Sequence, residues 1–185
     1  MKRQNLKRGF TIVELLIVLG VFAMLTSVVL ARYRTFDTNA KFANASEDII
    51  LALRQAQVYG VGAKGNTTSC GEGTTFECAY GVHFSMSAPH ELRIFVDLDN
   101  NNKYTDTTED VTVTTWDNTI SLTNLLCNTL LPCANQLDVT FKRPNPDAII
   151  ADSTGGGYND GKITISNGIK NATITITEAG QISLQ

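Results

Sequence analysis

Histidine, tryptophan and proline are scarce in this 185-residue chain, with two His, one Trp and four Pro. No proline occurs between Met1 and Ala88, so nothing there imposes the helix break that a pyrrolidine ring causes. No G-x-S-x-G, phosphate loop, H-E-x-x-H or zinc-spaced set of ligands is present. His83 lies in an alternating stretch and His90 follows Pro89, so both read as surface or edge residues rather than bases. Carboxylates are plentiful, yet no pocket nominates two of them as acid and base, and Trp116 and Tyr158 read as core or loop anchors. An enzyme is not expected. Positive charge is also limited. Lys and Arg number 15 against 18 Asp and Glu, a net charge of −3, and loss of the leading Lys2, Arg3, Lys7 and Arg8 would take it to −7. Lys142-Arg143 and Lys162 with Lys170 are isolated pairs, which argues against an electrostatic footprint for nucleic acid.

What the chain does have is one long apolar run. Residues 10–31 contain a single charge, Glu14, and as a helix they would cover roughly 30 Å of hydrocarbon. The four cations before the run predict that this end stays in the cytoplasm and that the rest is exported. A cleaved secretory signal would have a shorter apolar core and a small-x-small site, whereas this run continues into Ala31, Arg32 and Tyr33. A plain signal anchor fits the length but leaves Glu14 unexplained, because an acid inside a spanning helix costs about 2.5–3.5 kcal/mol on insertion scales.

The residues K-R-G-F-T-I-V-E-L-L-I-V-L, from Lys7 onward, resemble the signature of type IV pilins and of type II secretion and competence pseudopilins. The resemblance implies that residues 1–9 are a leader cut by a prepilin peptidase between Gly9 and Phe10, and that the amine of Phe10 is then N-methylated. It also implies that Glu14 is an assembly residue, neutralising the N-terminal amine of a neighbouring subunit as helices bundle. Pairing of that kind is what a carboxylate in low dielectric requires.

Helical signals persist to about Tyr59. Phe36, Ala40, Ala43, Ile50, Leu53, Ala56 and Val58 recur at threes and fours, while Gly60, Gly62 and Gly65 supply the stop. One continuous helix from Phe10 to Tyr59 is expected, with residues 10–31 in membrane or filament core and residues 32–60 amphipathic. Residues 61–185 then form an exported head. The segment L-A-L-R-Q-A-Q-V-Y-G, from Leu51, also looks like the end of the long helix in H-type pseudopilins and FimT-like minor pilins. Some FimT-like proteins bind DNA through a basic C-terminal G-R-x-R segment, but the matching residues here, 180–185, carry no cation.

Beyond Gly65 the apolar period becomes two. Strands are expected at residues 80–86, 92–97, 111–116, 118–122, 137–142, 162–166, 172–177 and 181–184, the last two joined by a turn at residues 178–180. Many short strands with Asn and Gly turns predict a mainly antiparallel sheet, and with the long helix docked on it an α+β, pilin-like fold. Residues 152–161, DSTGGGYNDG, read as an exposed, mobile loop.

Four cysteines, Cys70, Cys78, Cys127 and Cys133, form an even set in an exported domain and favour disulfides over a metal site. Three connectivities are possible, and short loop closure favours Cys70 with Cys78 and Cys127 with Cys133. In residues 97–110, DLDNNNKYTDTTED, Asp97, Asp99 and Asn101 alternate as hard oxygen ligands for calcium do, Lys103 could offer its carbonyl, and Asp106 or Glu109 could close the shell. Asn102 stands where an EF-hand has its turn glycine, and the twelfth position is Thr108. A solvated acidic turn explains the same pattern without metal. No cofactor is required by this reading, and calcium is a candidate.

The sequence therefore describes a cleaved and methylated prepilin-type subunit, a minor one by its divergent disulfide-bearing head. Its partners would be the prepilin peptidase, other pilin or pseudopilin subunits and the inner membrane, and its destination a type IV pilus or secretion pseudopilus at the cell surface. The rival is a monomeric anchored binding module, with calcium as its candidate ligand, that never polymerises.

Overall fold

A computed structural model describes residues 9–62, 64–66, 70, 77–128 and 131–185, together with the backbone but not the side chains of residues 34 and 35. The leader cations Lys2, Arg3, Lys7 and Arg8, and the loop between Cys70 and Cys78, lie outside the described residues. The chain divides into two compact units, Met1–Ala40 and Lys41–Gln185.

Helix α1 runs Ile12–Val61. Thr11 caps it, since its Oγ1 accepts from the Glu14 amide at 3.2 Å and its carbonyl from the Leu15 amide at 3.1 Å. Over residues 12–31, Glu14 apart, α1 is apolar on every face, and the large hydrophobics from Ile12 to Leu30 are all exposed. An 18-residue window of it is long and apolar enough to cross a membrane, by length and composition alone. Thr26 and Ser27 return their hydroxyls to carbonyls one turn back, at Phe22 and Met24, which keeps these polar groups satisfied without water.

In the second unit α1 becomes amphipathic. The buried stripe is Phe42, Ala45, Ile49, Ala52, Leu53 and Ala56, spaced by threes and fours. This stripe differs from the expected one. Phe36, Ala43 and Val58 are exposed, because the face that meets the sheets is set by Phe42 and Ile49, one step round from the residues that seemed to line up. Small residues on the stripe allow close approach. A Cβ on Gly60 would run into the carbonyl of Phe141, so the helix comes nearest to the sheet there.

The head is α+β and antiparallel, with two five-stranded sheets rather than one. The first contains β1 (Ala79–Ser85), β2 (Glu91–Asp97), β3 (Asp110–Thr115), β6 (Gln136–Phe141) and β7 (Ala148–Ala151), in the order β3-β2-β1-β6-β7. The second contains β4 (Ser121–Cys127), β5 (Leu131–Pro132), β8 (Asp160–Ser166), β9 (Asn171–Thr177) and β10 (Ile182–Leu184), in the order β10-β9-β8-β4-β5. One buried cluster takes side chains from the helix and from both sheets, including Ile49, Leu53, Phe84, Ile94, Ile120, Leu137, Phe141, Ile163 and Ile174.

The two sheets bury their strands differently. β8 and β9 alternate buried and half-buried residues along their length, as half-solvated strands do. β1 is buried on both faces for six of its seven residues, because residues 98–109 fold over its outer side. Gly81 makes room for this arrangement, since a Cβ there would lie 2.6 Å from the Phe95 ring and from Thr140 Cγ2.

Residues 152–161 are not simply an exposed loop. Asp152 is buried and Oδ1 accepts from Thr154 N, Thr154 Oγ1 and Gly155 N at 2.8, 2.8 and 3.0 Å, while Oδ2 accepts from Ala134 N at 3.1 Å. Gly156 bridges Ala151, and Asp160 and Gly161 already belong to β8. Glycine content signals a turn but does not reveal a carboxylate that ties the turn to its neighbours.

Candidate functional site

Two places carry the residues singled out by the sequence. At the N-terminal end Gly9, Phe10, Thr11 and Glu14 line one open notch. Phe10 is 82% exposed, so among the described residues no group covers it. Glu14 is the third residue of the helix and Thr11 its cap, forming the T-x-x-E half of a capping box, with the Thr11 hydroxyl on the Glu14 amide. A carboxylate in the first turn also faces the positive end of the helix macrodipole. Part of the cost of placing an acid in this apolar run is therefore offset locally. Thr11 is a residue that reading the run for charge alone misses, although T-x-x-E ahead of an apolar helix is a legible signal.

The second place is the strap of residues 98–109 over the first sheet. Asp97, at the end of β2, and Glu109, in a single 3-10 turn of Thr107–Glu109, are buried, whereas Asp99 is exposed. One oxygen of each of these three carboxylates lies within 4.8 Å of the others. The loop's own donors reach all six oxygens. Asp97 accepts from the amides of Asn101 (3.0 Å) and Asn102 (2.9 Å), and Glu109 from the amides of Leu98 (3.0 Å) and Thr105 (2.7 Å). Asp99 accepts from the Asn101 amide (3.2 Å), Asn101 Nδ2 (2.7 Å) and Thr105 Oγ1 (3.1 Å). Asn100 and Asn102 take φ of 59° and 63°, the left-handed backbone that asparagine tolerates.

Of the six residues considered for calcium, the structure thus gathers Asp97, Asp99 and Glu109. Asp106 instead caps the 3-10 turn, accepting from Thr108 N at 2.7 Å and Thr108 Oγ1 at 2.6 Å. Asn101 turns its amide nitrogen toward Asp99, and its oxygen takes the Lys103 amide at 2.7 Å. An all-oxygen set suits a hard cation such as calcium, but hydrogen bonds alone account for this geometry. Burial is the largest influence on Asp97, pushing its carboxyl up to about 6 against the pull of its amide donors, and burial raises Glu109 as well.

Beside the strap, His83 is buried on the central strand β1, not on a surface or edge. Its Nδ1 lies 2.6 Å from Oδ1 of the fully buried Asp138 on β6, and the Tyr104 ring covers it at 4.5 Å between centroids. Period-two alternation puts His83 on the outer face of β1, but no local pattern signals that a loop covers that face. Arg93 holds Glu91 at 2.7 Å and Asp110 at 2.6 Å, which completes a polar belt under the strap. His90 Nδ1 lies 2.7 Å from the Ile120 carbonyl, and Trp116 Nε1 donates to the same oxygen at 2.9 Å, so both act as turn anchors.

The cysteines are joined as Cys70–Cys78 and Cys127–Cys133, each with Cα atoms 5.2 Å apart. Cys70 and Cys78 form a small satellite core with Tyr80 and Val96, and Cys127 and Cys133 belong to the main one.

Comparison with known proteins finds one family, the prokaryotic N-terminal methylation motif, matching residues 4–30. No curated protein and no solved structure matches the chain. The apolar helix and the motif together fit membrane anchoring, and the motif points to a structural subunit. The chain carries the prokaryotic N-terminal methylation motif, the signature of type IV prepilins and pseudopilins.

Proposed function

We infer that the chain is a minor structural subunit of a type IV pilus or a type II secretion-type pseudopilus. It is cut after Gly9, N-methylated at Phe10, held in the inner membrane with its head exported, and assembled through the first part of α1. The observation that carries this reading is a methylation motif running into a helix whose apolar residues have no cover of their own. Such a helix has two environments available, lipid or the helices of neighbouring subunits, and an uncut anchor would need only the first.

Glu14 separates these uses. In a permanent anchor its replacement by leucine removes the only acid in the span and improves insertion. In a filament subunit the carboxylate is the partner of a neighbour's terminal amine, and its loss leaves that ammonium buried without a counter-charge. The experiment is Glu14→Leu expressed beside the wild type in cells carrying prepilin peptidase and a filament machine, followed by fractionation of membranes and sheared filaments. The expected result is normal membrane level and processing with loss of the subunit from filaments. Wild-type recovery of the variant in filaments would overturn the assembly role of Glu14. Function retained with no filament association in either form would favour the anchored binding module.

A further inference from the structure

The two sheets of the head have four edges, and three of them are blunted. Beside β7, Gly156 bridges Ala151, and the amides of Gly157 and Tyr158 reach the Ile150 carbonyl at 3.0 and 3.2 Å. β5 is two residues long and one is Pro132, which has no N–H to offer. β10 has only three residues. Short strands, proline and covering loops are the usual means of keeping a sheet edge from pairing with another chain.

Among the described residues β3 has none of these three, although a bulge at Val111 shifts its register against β2. It is six residues long, Asp110–Thr115, and lies at the end of its sheet. Residues 111–115 read V-T-V-T-T, without proline, glycine or charge, all with strong strand preference. Among the described residues no hydrogen bond reaches the free edge of residues 111–115. The acids flanking this segment are both neutralised within the head, Asp110 by Arg93 at 2.6 Å and Asp117 by Lys41 at 3.0 Å. Val113, at the centre, is 44% exposed.

We propose that β3 is a strand-addition site and that its occupant is β3 of a second copy of this chain, paired antiparallel about Val113. The argument for a second copy is self-complementarity. Centred there, Val113 faces Val113 and Thr112 faces Thr114, both outside the bulge at Val111, so every pair of the regular ladder is β-branched, the kind of pair that stabilises an antiparallel ladder. No charge opposes a like charge, because Asp110 falls opposite Trp116. Any other register that overlaps less of the strand leaves more free backbone groups at the edge. The pairing satisfies main-chain donors and acceptors on both copies, as in other cases of strand addition. An isologous contact of this kind closes at two copies, and it stands whether or not the subunit enters a filament.

The test uses the full chain in detergent micelles, with its native cysteines paired, and two single variants at exposed positions, Val113→Cys and Thr115→Cys, under mild oxidation. On the two-fold axis the paired Cα atoms lie about 4.5–5.5 Å apart, inside the range a disulfide spans. Two copies of residue 115 lie roughly 13 Å apart in the same register, beyond that range. V113C is expected to form a covalent dimer that T115C does not, and Val113→Lys, which sets two cations face to face, is expected to abolish the slow exchange, seen at high concentration in the wild type, of those amides of residues 112–115 that point away from β2. Equal cross-linking of both cysteine variants, or none by either, overturns the proposal. So does slow exchange of the amides that point away from β2 if it survives in V113K or does not depend on concentration, which would assign the edge to a different occupant.

Discussion

One helix serves two different units, and its two parts follow opposite rules. Ile17 and Ile49 are the same residue type on the same helix, yet Ile17 is 62% exposed and Ile49 is fully buried. Residues 42–56 spend their apolar stripe on a core shared with two sheets, with polar residues such as Asn44, Glu47 and Arg54 facing out. Residues 12–30 are apolar on every face and bury none of it. The head buries its apolar stripe within its own fold, whereas residues 12–30 bury none within the chain, the pattern of a helix suited to lipid or to other helices. Burial within the chain therefore marks where stability is decided, and its absence marks where partners are decided.

The sharpest way to break that comparison is to shorten the same side chain in each part. Ile49→Ala should cost the head about 2–5 kcal/mol, read by denaturant unfolding in micelles, while Ile17→Ala should leave the same transition unmoved. Next in size, Cys127→Ala with Cys133→Ala should destabilise the head by about 2–3 kcal/mol, because the bridge belongs to the main core. Equal unfolding midpoints with and without reductant for the wild type would contradict this.

The glycines give a smaller contrast. Gly60→Ala drives a methyl into the Phe141 carbonyl and should lower head stability by about 1–3 kcal/mol. At Gly20 a Cβ meets nothing within 4 Å, so Gly20→Ala should strengthen the helix by up to about 1 kcal/mol with no change in the head transition. The last effect is pH dependent. Asp97, pushed up to about 6 chiefly by burial, keeps its proton in the folded head at pH values where the unfolded chain has released it. Stability should therefore rise by about 1–2 kcal/mol as pH falls from 7 through 6 toward 4, and Asp97→Asn should remove that rise. Below about 4 the trend reverses. Asp152, held at about 2 by Thr154, Ala134 and Gly155 in spite of burial, then takes up a proton that the folded state binds poorly.

Much of this contrast is legible in the sequence. Periodicity switches from all-apolar to threes and fours to twos, which separates span, docked helix and strands, and the strands expected from alternation at residues 80–86, 92–97, 137–142, 162–166 and 172–177 lie within one or two residues of β1, β2, β6, β8 and β9. β7 is missed because four residues give too little alternation, and β4 is placed too early because Asn118 and Thr119 belong to a turn that Asp117 closes onto Thr119 at 3.0 Å. The division into two sheets depends on long-range pairing, such as β1 with β6, which no local pattern encodes. At the candidate sites, the D-x-D-x-N spacing found the strap, but burial of Asp97 and the His83–Asp138 pair arise only when the strap closes over β1. Glu14 was conspicuous as a lone acid, whereas its local partner Thr11 was hidden among apolar neighbours.

The central claim is that the first unit is made for other subunits after removal of a leader, and intact mass with N-terminal sequencing of the protein recovered from its own cell envelope tests it most directly. The account predicts a chain beginning at N-methylated Phe10. A chain that still begins at Met1, in cells with an active prepilin peptidase, would contradict it.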